Sequence, residues 1–269
     1  MRRGGRAPGQ SGVADRLGFG RAQARRFLAD LSGLVPPVRP ELDRELEARF
    51  RADLLRRFPG DAIVGEELPP AGAWRGSGWV IDPIDGTTNL AHGLPWYGTS
   101  IGYLEDGVPL IGWISDPVRG EIYEAVEGRG ATVEGIPLHL ASQPPSPLLA
   151  FARRWRRQNP GWRARVPAGC KDRLLGATAL ELAWVARGII GAGAWSHTRV
   201  FDIAAGWLLL REAGAVILSS HGAGPDASWA PLCDSEPTRR PLELVAGHPA
   251  YASWLPGLLT PSDPSPGLP

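Results

Sequence analysis

Cysteine is nearly missing from this chain: Cys170 and Cys233 are the only two in 269 residues. With no CxxC spacing between them, a disulfide framework and a thiolate metal site are both excluded as organising features. Long apolar runs are missing too, so nothing in the sequence reads as a membrane span. A strong field is missing: the formal charge is +1, which argues against nucleic acid or an anionic membrane as the main partner. Lysine is reduced to Lys171, a bias better explained by a GC-rich genome than by function. The five histidines show no HExxH spacing, and Gly128-Arg129-Gly130 lacks the GxGxxG frame of a nucleotide loop. The N-terminal stretch MRRGGRAPGQSG is basic and glycine-rich but has no apolar core of the signal-peptide kind. Residues 1–20 therefore read as a flexible tail, and the protein as cytoplasmic.

What is present is enough apolar material, 43%, for one large domain or two small ones sharing a cleft. Helical periodicity runs over 21–34 and 41–58, where Leu42, Leu46, Phe50, Leu54 and Leu55 form a stripe opposite Arg and Glu. Short strands are predicted at 62–65 and 79–81, the second cut off by Asp82-Pro83. Period-two segments at 98–104, 108–115, 121–126 and 131–133, separated by Gly and Asp-Pro turns, predict an antiparallel meander. The proline-rich stretch 142–147 divides an N-terminal α+β half (21–142) from a C-terminal α/β half (148–260), with a flexible tail at 261–269. In the second half, helices are predicted at 177–187, 202–213 and 248–259, and strands at 215–218 and 242–246. The Arg-rich stretch 153–165, with Trp155 and Trp162, reads as a solvated surface or a subunit contact, with single-stranded nucleic acid as the sharper alternative. The mixture places the chain in the α/β (α+β) class.

The chemistry concentrates at 79–89, Trp-Val-Ile-Asp-Pro-Ile-Asp-Gly-Thr-Thr-Asn. Asp82 and Asp85 stand three residues apart beside a buried strand. Burying two like charges together is costly, and a divalent cation removes the cost. Oxygen-only ligands favour a hard ion such as Mg²⁺. Pro83 keeps Asp82 out of a helix and leaves the Ile84 carbonyl free as a ligand. Gly86, Thr87 and Thr88 follow at once, where backbone N–H groups suit a phosphate. Taken alone, this segment is equally an ordinary turn after a strand. Glu66 at the end of the previous strand, Asp202 at a helix start and Asp43 on a helix add acids, although Asp202 reads equally as an N-cap and Asp43 as a surface charge.

Together these pieces resemble the inositol monophosphatase family of metal-dependent, lithium-sensitive sugar-phosphate phosphatases, over roughly 43–247. Gly65-Glu66-Glu67 resembles its GEE element, 79–89 its WxxDPxDGTxN signature, and Phe201-Asp-Ile-Ala-Ala-Gly206 its WDxAAG element with Phe for Trp. Gly176-Ala-Thr-Ala179 resembles the segment lining the substrate pocket. The resemblance implies a five-layered α/β/α/β/α sandwich, commonly a homodimer, binding two or three Mg²⁺ ions. It assigns Glu66, Asp82 and the Ile84 carbonyl to one ion, Asp82, Asp85 and Asp202 to a second, and Glu66 through water to a third. Glu66 thereby joins Asp43 and Thr87 in the catalytic set; Thr87, bonded to Asp43, would aim a metal-activated water. The Gly86–Thr87 backbone would grip phosphate, with Asp85, Ala177 and Thr178 near substrate hydroxyls. Inositol-specific members carry a Glu that binds ring hydroxyls seven residues before the counterpart of Asp202, and Trp195 stands there instead, which by the resemblance makes it a substrate contact. Trp offers one donor and no acceptor, so the substrate is a small phosphorylated metabolite whose identity as inositol phosphate is put in question. Fructose 1,6-bisphosphate, histidinol phosphate and a 3′-phosphonucleotide are alternatives on the same scaffold, and a non-catalytic regulator binding protein or RNA is the alternative of another class. His92 reads as a structural residue beside this machinery, and His197, near Asp202 in sequence, has contact with substrate as its less favoured reading.

Overall fold

The computed structural model describes residues 10–74, 77–219, 222–223 and 242–259. Two long helices open it: α1 (Gln10–Leu31) and α2 (Leu42–Arg57). The strands β1 (Ile63–Gly65), β2 (Gly78–Asp85), β3 (Gly98–Glu105), β4 (Val108–Asp116), β5 (Glu121–Val126), β6 (Gly130–Val133) and β7 (Ile136–Pro137) follow, with the short helix α3 (Thr87–Ala91) after β2. They form one seven-stranded sheet in sequence order. Only β1 and β2 pair in parallel; the rest is the antiparallel meander expected from the turns.

The second half adds β8 (Leu148–Phe151), α4 (Arg153–Gln158), β9 (Lys171–Arg173), α5 (Thr178–Ala186), β10 (Ala192–Thr198), α6 (Val200–Ala213), β11 (Val216–Ser219), β12 (Gly222–Ala223) and β13 (Leu242–Gly247). Its strands make a six-stranded sheet in the order β12-β11-β13-β10-β8-β9. Helices α5 and α6 lie between the two sheets, α1 and α2 cover the outside of the first, and α4 covers the second. The layers are therefore α/β/α/β/α. Three apolar clusters fill the interfaces: Phe27, Phe50, Leu54 and Trp113 under the outer helices, Leu182, Trp207 and Leu209 between the sheets, and Phe151, Trp155 and Trp162 beneath α4.

The central layer explains the small residues of the 201–206 element. A Cβ on Gly112 of β4 would fall 2.8 Å from the Ala205 Cα, and one on Gly206 would fall 2.5 Å from the Leu182 side chain. Ala204, Ala205 and Gly206 thus let α6 lie against both the sheet and α5. That close approach fixes where Asp202, in the first turn of α6, points.

Several expectations are corrected. Residues 10–20 are not tail but the first half of α1, because the apolar series Val13, Leu17, Ala24, Phe27, Leu31 continues the helical stripe toward the N-terminus and packs on the sheet. The strand over 79–81 is not cut off at Asp82-Pro83 but runs to Asp85. The final helix over 248–259 is two separate 3-10 turns, Pro249–Tyr251 and Leu255–Leu258, since Pro256 lacks the N–H a continuous helix needs. Strands β8, β9 and β10 were not anticipated; β10 has buried side chains on both faces and so carries no alternation to read. Stretch 153–165 is anchored, with Trp155 and Trp162 buried, Arg156 and Arg165 half-buried, and Arg153, Arg154, Arg157 and Arg163 exposed. Cys233 and residues 261–269 lie outside the described residues. Among the described residues, no helix is long and apolar enough to cross a membrane.

Candidate functional site

The site begins with an irregularity in β2. Trp79 and Ile81 face the outer-helix cluster and Val80 the central one, the alternation expected of a strand. By plain alternation Asp82 and Asp85, an odd number of residues apart, would point to opposite faces. The pairing prevents this. Asp82 sits opposite Ser100 and Asp85 opposite Gly98, three steps on β2 against two on β3. That extra residue is a β-bulge, placed where Pro83 has no N–H to give the ladder. Past the bulge Ile84 returns to the outer cluster, and Asp85 joins Asp82 on the inner side. Thr99 donates its hydroxyl to the Pro83 carbonyl at 2.8 Å and fixes the distortion.

Asp82 is 2% exposed, and its Oδ1 is buried with no hydrogen-bond partner. Burial pushes its pKa well up, and Glu66, Asp85 and Asp202 push it further. Burial likewise raises Asp85, reinforced by Asp202 and opposed by the Ala179 N–H, which donates to Asp85 Oδ2. Asp202 is raised to about 7, mainly by burial, although it accepts the Arg199 N–H at 2.6 Å. Glu66 is raised by burial and held back by a hydrogen bond with Asp82. Four acids from β2, the loop after β1 and the start of α6 therefore feel one another's charge.

A second group sits beside them. The Thr87 hydroxyl lies 3.0 Å from Asp43 Oδ2 and 2.9 Å from the Ile84 carbonyl. Its single proton serves one acceptor at a time. Burial raises Asp43 to about 6, with Glu67 adding to the rise and Thr87 opposing it. Gly86 precedes α3 with φ 94°, and a Cβ there would lie 2.9 Å from the Trp96 carbonyl, so glycine is required on both counts. The first turn of α3 leaves N–H groups without intrahelical acceptors, next to the acids.

The pocket segment 175–179 is clamped from two sides. Asn89 donates to the Trp96 and Leu175 carbonyls, both at 2.8 Å. Glu181, buried in α5, accepts the N–H groups of Leu175 at 3.2 Å and Gly176 at 3.0 Å. Its other oxygen accepts the Trp195 indole N–H at 2.5 Å. Trp195 is wholly buried, so it is corrected from a substrate contact to an interior residue whose one donor is committed to Glu181.

Sequence reasoning missed Glu47 and Arg51. Glu47 is 0% exposed on α2; Arg51 donates to it at 2.8 Å through Nε and to the Leu68 and Pro69 carbonyls. Glu47 also accepts the Glu67 N–H at 2.8 Å, and a Cβ on Gly65 would strike its carboxylate. The pair holds the loop that presents Glu66 and explains why that loop begins with glycine. The signal was an acid and a base four apart, one position beyond the apolar stripe. His92 bonds the Thr88 carbonyl of its own helix at 2.8 Å and is structural.

The closed ligand cage expected from the sequence is not formed: among the described residues, no three His, Cys, Asp or Glu side chains stand ready around one point. Like charges do not converge unaided, and Asp85 and Asp202 have each turned an oxygen to a backbone N–H. The residues still fit a hard divalent cation, because every donor is oxygen and the buried Asp82 Oδ1 has no other partner.

The inositol monophosphatase family model matches residues 37–248. The histidinol-phosphatase of Mycobacterium tuberculosis is 35% identical over 230 residues, spanning 79% of this chain and 85% of that protein. The Nus factor SuhB of Xylella fastidiosa is 34% identical, over 77% and 76% of the two chains. The inositol-1-monophosphatase of Bacillus subtilis is 35% identical, over 67% and 72%. Among solved structures, an inositol monophosphatase from Anabaena (Nostoc) superposes with a TM-score of 0.75 at 25% identity, covering 92% of this chain and 96% of the other.

Proposed function

This chain belongs to the inositol monophosphatase family and is a phosphatase of the sugar-phosphate type, and from that premise we propose that it is a Mg²⁺-dependent phosphomonoesterase acting on a small phosphorylated metabolite. The observation that carries the Mg²⁺ reading is Asp82, a buried carboxylate with an unpartnered oxygen among three more acids, one of which, Asp85, the bulge turns to its side. Glu66, Asp82, Asp85, Asp202 and the Ile84 carbonyl would hold the cations. Bound there, Mg²⁺ supplies charge neutralisation for the phosphoryl oxygens and acidifies water.

The remaining roles fall to the chain itself. Thr87, within reach of Asp43 and the Ile84 carbonyl, orients the attacking water by accepting one of its protons. Asp43, raised only to about 6, is mostly ionised at neutral pH and accepts a proton relayed through Thr87. The Gly86 and Thr87 N–H groups, at the start of α3, face phosphate oxygens. Ala177 and Thr178 present backbone to the leaving alcohol, held in place by Asp85 and Glu181.

The test is release of inorganic phosphate from a panel of inositol, sugar and histidinol phosphates, with Mg²⁺ and with a chelator. Hydrolysis is expected only with the metal. Asp82→Asn should lower kcat/KM by roughly a hundredfold or more, a loss of several kcal/mol of transition-state stabilisation, while its circular dichroism stays native. Full activity in that variant refutes the assignment. Relatives named Nus factor SuhB favour a second reading, a regulatory protein that binds a macromolecular partner; a chain that releases no phosphate from any ester would support it.

A further inference from the structure

The two ends of the proposed site lie on different halves of the chain. The turn at 85–87 after β2 carries the phosphate end, and segment 175–179, running into α5, carries the alcohol end. Gly86, Thr87, Gly176 and Thr178 are reached by solvent, whereas Asn89 and Ala177 behind them are buried. The two stretches pack against each other. A Cβ on Gly86 would lie 3.1 Å from the Ala177 methyl, and one on Gly176, which has φ 83°, would lie 3.4 Å from Asn89 Nδ2.

Asn89 ties them together. Its Nδ2 donates to the Leu175 carbonyl, 86 residues away in sequence, and to the Trp96 carbonyl, each at 2.8 Å. Both partners only accept, so the amide has one useful orientation and both its protons are engaged. The Trp96 carbonyl in turn lies against Gly86, 2.9 Å from where a Cβ would sit. One side chain thus fixes the alcohol segment relative to the phosphate turn. The other anchors act differently. Glu181 binds the Leu175 and Gly176 N–H groups from α5, the helix into which the segment runs, so it sets the segment's shape and not its distance from the turn. Asp85 spans the same seam through the Ala179 N–H, but Asp85 is also assigned to a cation. The two hydrogen bonds of Asn89 reach neither an assigned carboxylate ligand nor the Ile84 carbonyl.

We infer that Asn89 is a positioning residue for alcohol selection: its amide holds segment 175–179 at the distance from the phosphate turn at which an ester bound by its phosphate can also hydrogen-bond the segment's backbone through polar groups on its alcohol. The inference rests on the phosphatase reading of the site. A strut of this kind contributes only to substrates that touch both of its ends. Its loss spares phosphate and Mg²⁺ and penalises the part of the substrate that reaches the segment. A role in the fold alone would penalise every ligand alike.

Asn89→Leu keeps the shape and removes both donors. For the best ester of the panel above, kcat/KM should fall about tenfold, mostly through KM, the effect of freeing a segment held by two neutral hydrogen bonds. For methyl phosphate, whose alcohol offers the segment nothing to bond, the change should stay within about twofold. Dissociation constants of inorganic phosphate and of Mg²⁺, measured calorimetrically, should stay within about the same factor. Asn89→Ser, smaller and with one donor, should fall between parent and Asn89→Leu, and carries the test if the leucine variant does not fold. An equal loss for the best ester and methyl phosphate, a preference that survives Asn89→Leu, or a tenfold loss of phosphate or Mg²⁺ affinity overturns the assignment. Failure of both variants to fold also overturns it, by placing Asn89 in the fold alone. The two readings fail separately. If the parent releases phosphate from no ester, the phosphatase reading falls, while calorimetric affinities of the same esters and of inorganic phosphate with Mg²⁺ still measure what the alcohol adds to binding. An alcohol contribution equal in parent and variant counts against Asn89.

Discussion

Glu47 and Asp82 are both buried carboxylates on the two sides of one sheet edge, and they are built in opposite ways. Glu47 is saturated, by the Arg51 guanidinium and the Glu67 N–H. Asp82 has an oxygen with no partner and three acids for neighbours. A protein that needs a carboxylate for structure surrounds it with donors; one that needs it for a ligand leaves the donors out and tolerates the cost. The difference assigns Glu47 to the scaffold and Asp82 to function, although both are equally hidden from water.

The strongest way to break this contrast is at Arg51. Arg51→Ala leaves Glu47 charged, buried and short of its main partner, and frees the carbonyls of Leu68 and Pro69. Removing one member of a buried pair costs about 3–5 kcal/mol, so denaturant unfolding of this variant should show that loss. Asp82→Asn, which relieves like-charge repulsion, should leave the metal-free protein as stable as the parent or more so. If Arg51→Ala is neutral, or Asp82→Asn costs as much, the two carboxylates are not different in kind.

Acidity gives a smaller but cleaner separation. Asp43 is raised to about 6 and Asp202 to about 7, while unfolded aspartates titrate near 4. Between those values the folded metal-free chain holds more protons than the unfolded one. Its stability is therefore greatest at the acid end of the window and falls as pH rises through 6 and 7. The metal-free Tm should drop on the order of 3–5 °C between pH 5 and pH 7.5. Saturating Mg²⁺ should abolish or reverse the drop, because ligand binding favours the ionised acids. A metal-free Tm that climbs over that interval means the site acids are partnered after all.

Much of this was readable in advance, for definite reasons. The segment 79–89 carries its chemistry in consecutive residues, so the acids, the glycine and the threonine were found together. The meander was legible because period two and its turn residues are local. What was not legible depended on distance. The bulge that brings Asp82 and Asp85 to one face shows only in the pairing with Ser100 and Gly98. Strand β10 is buried on both faces and has no pattern. Glu47 and Arg51 look like ordinary surface charges until the loop at 66–69 is seen folded over them. The direction of the Trp195 indole is set by Glu181 on another element, which no local pattern around position 195 shows.

Glu181 is a further buried acid whose class is open to test, because it sits against the functional group yet is dressed like Glu47. It acts on Asp85, but three N–H donors reach it, from Leu175, Gly176 and Trp195. By the rule above it belongs to the scaffold. Trp195→Phe keeps most of the aromatic volume and withdraws one donor, which should cost about 1–3 kcal/mol and loosen the 175–179 segment. KM should rise more than kcat falls, and Mg²⁺ affinity should stay within a factor of two or so, since no cation ligand is touched. A tenfold loss of Mg²⁺ affinity would move Glu181 into the functional set. The same logic governs Trp195→Glu: by itself it sets a second carboxylate against Glu181 in the interior, so the polyol contact made by a glutamate there in inositol-specific relatives cannot be installed at position 195 unless Glu181 is neutralised in the same chain.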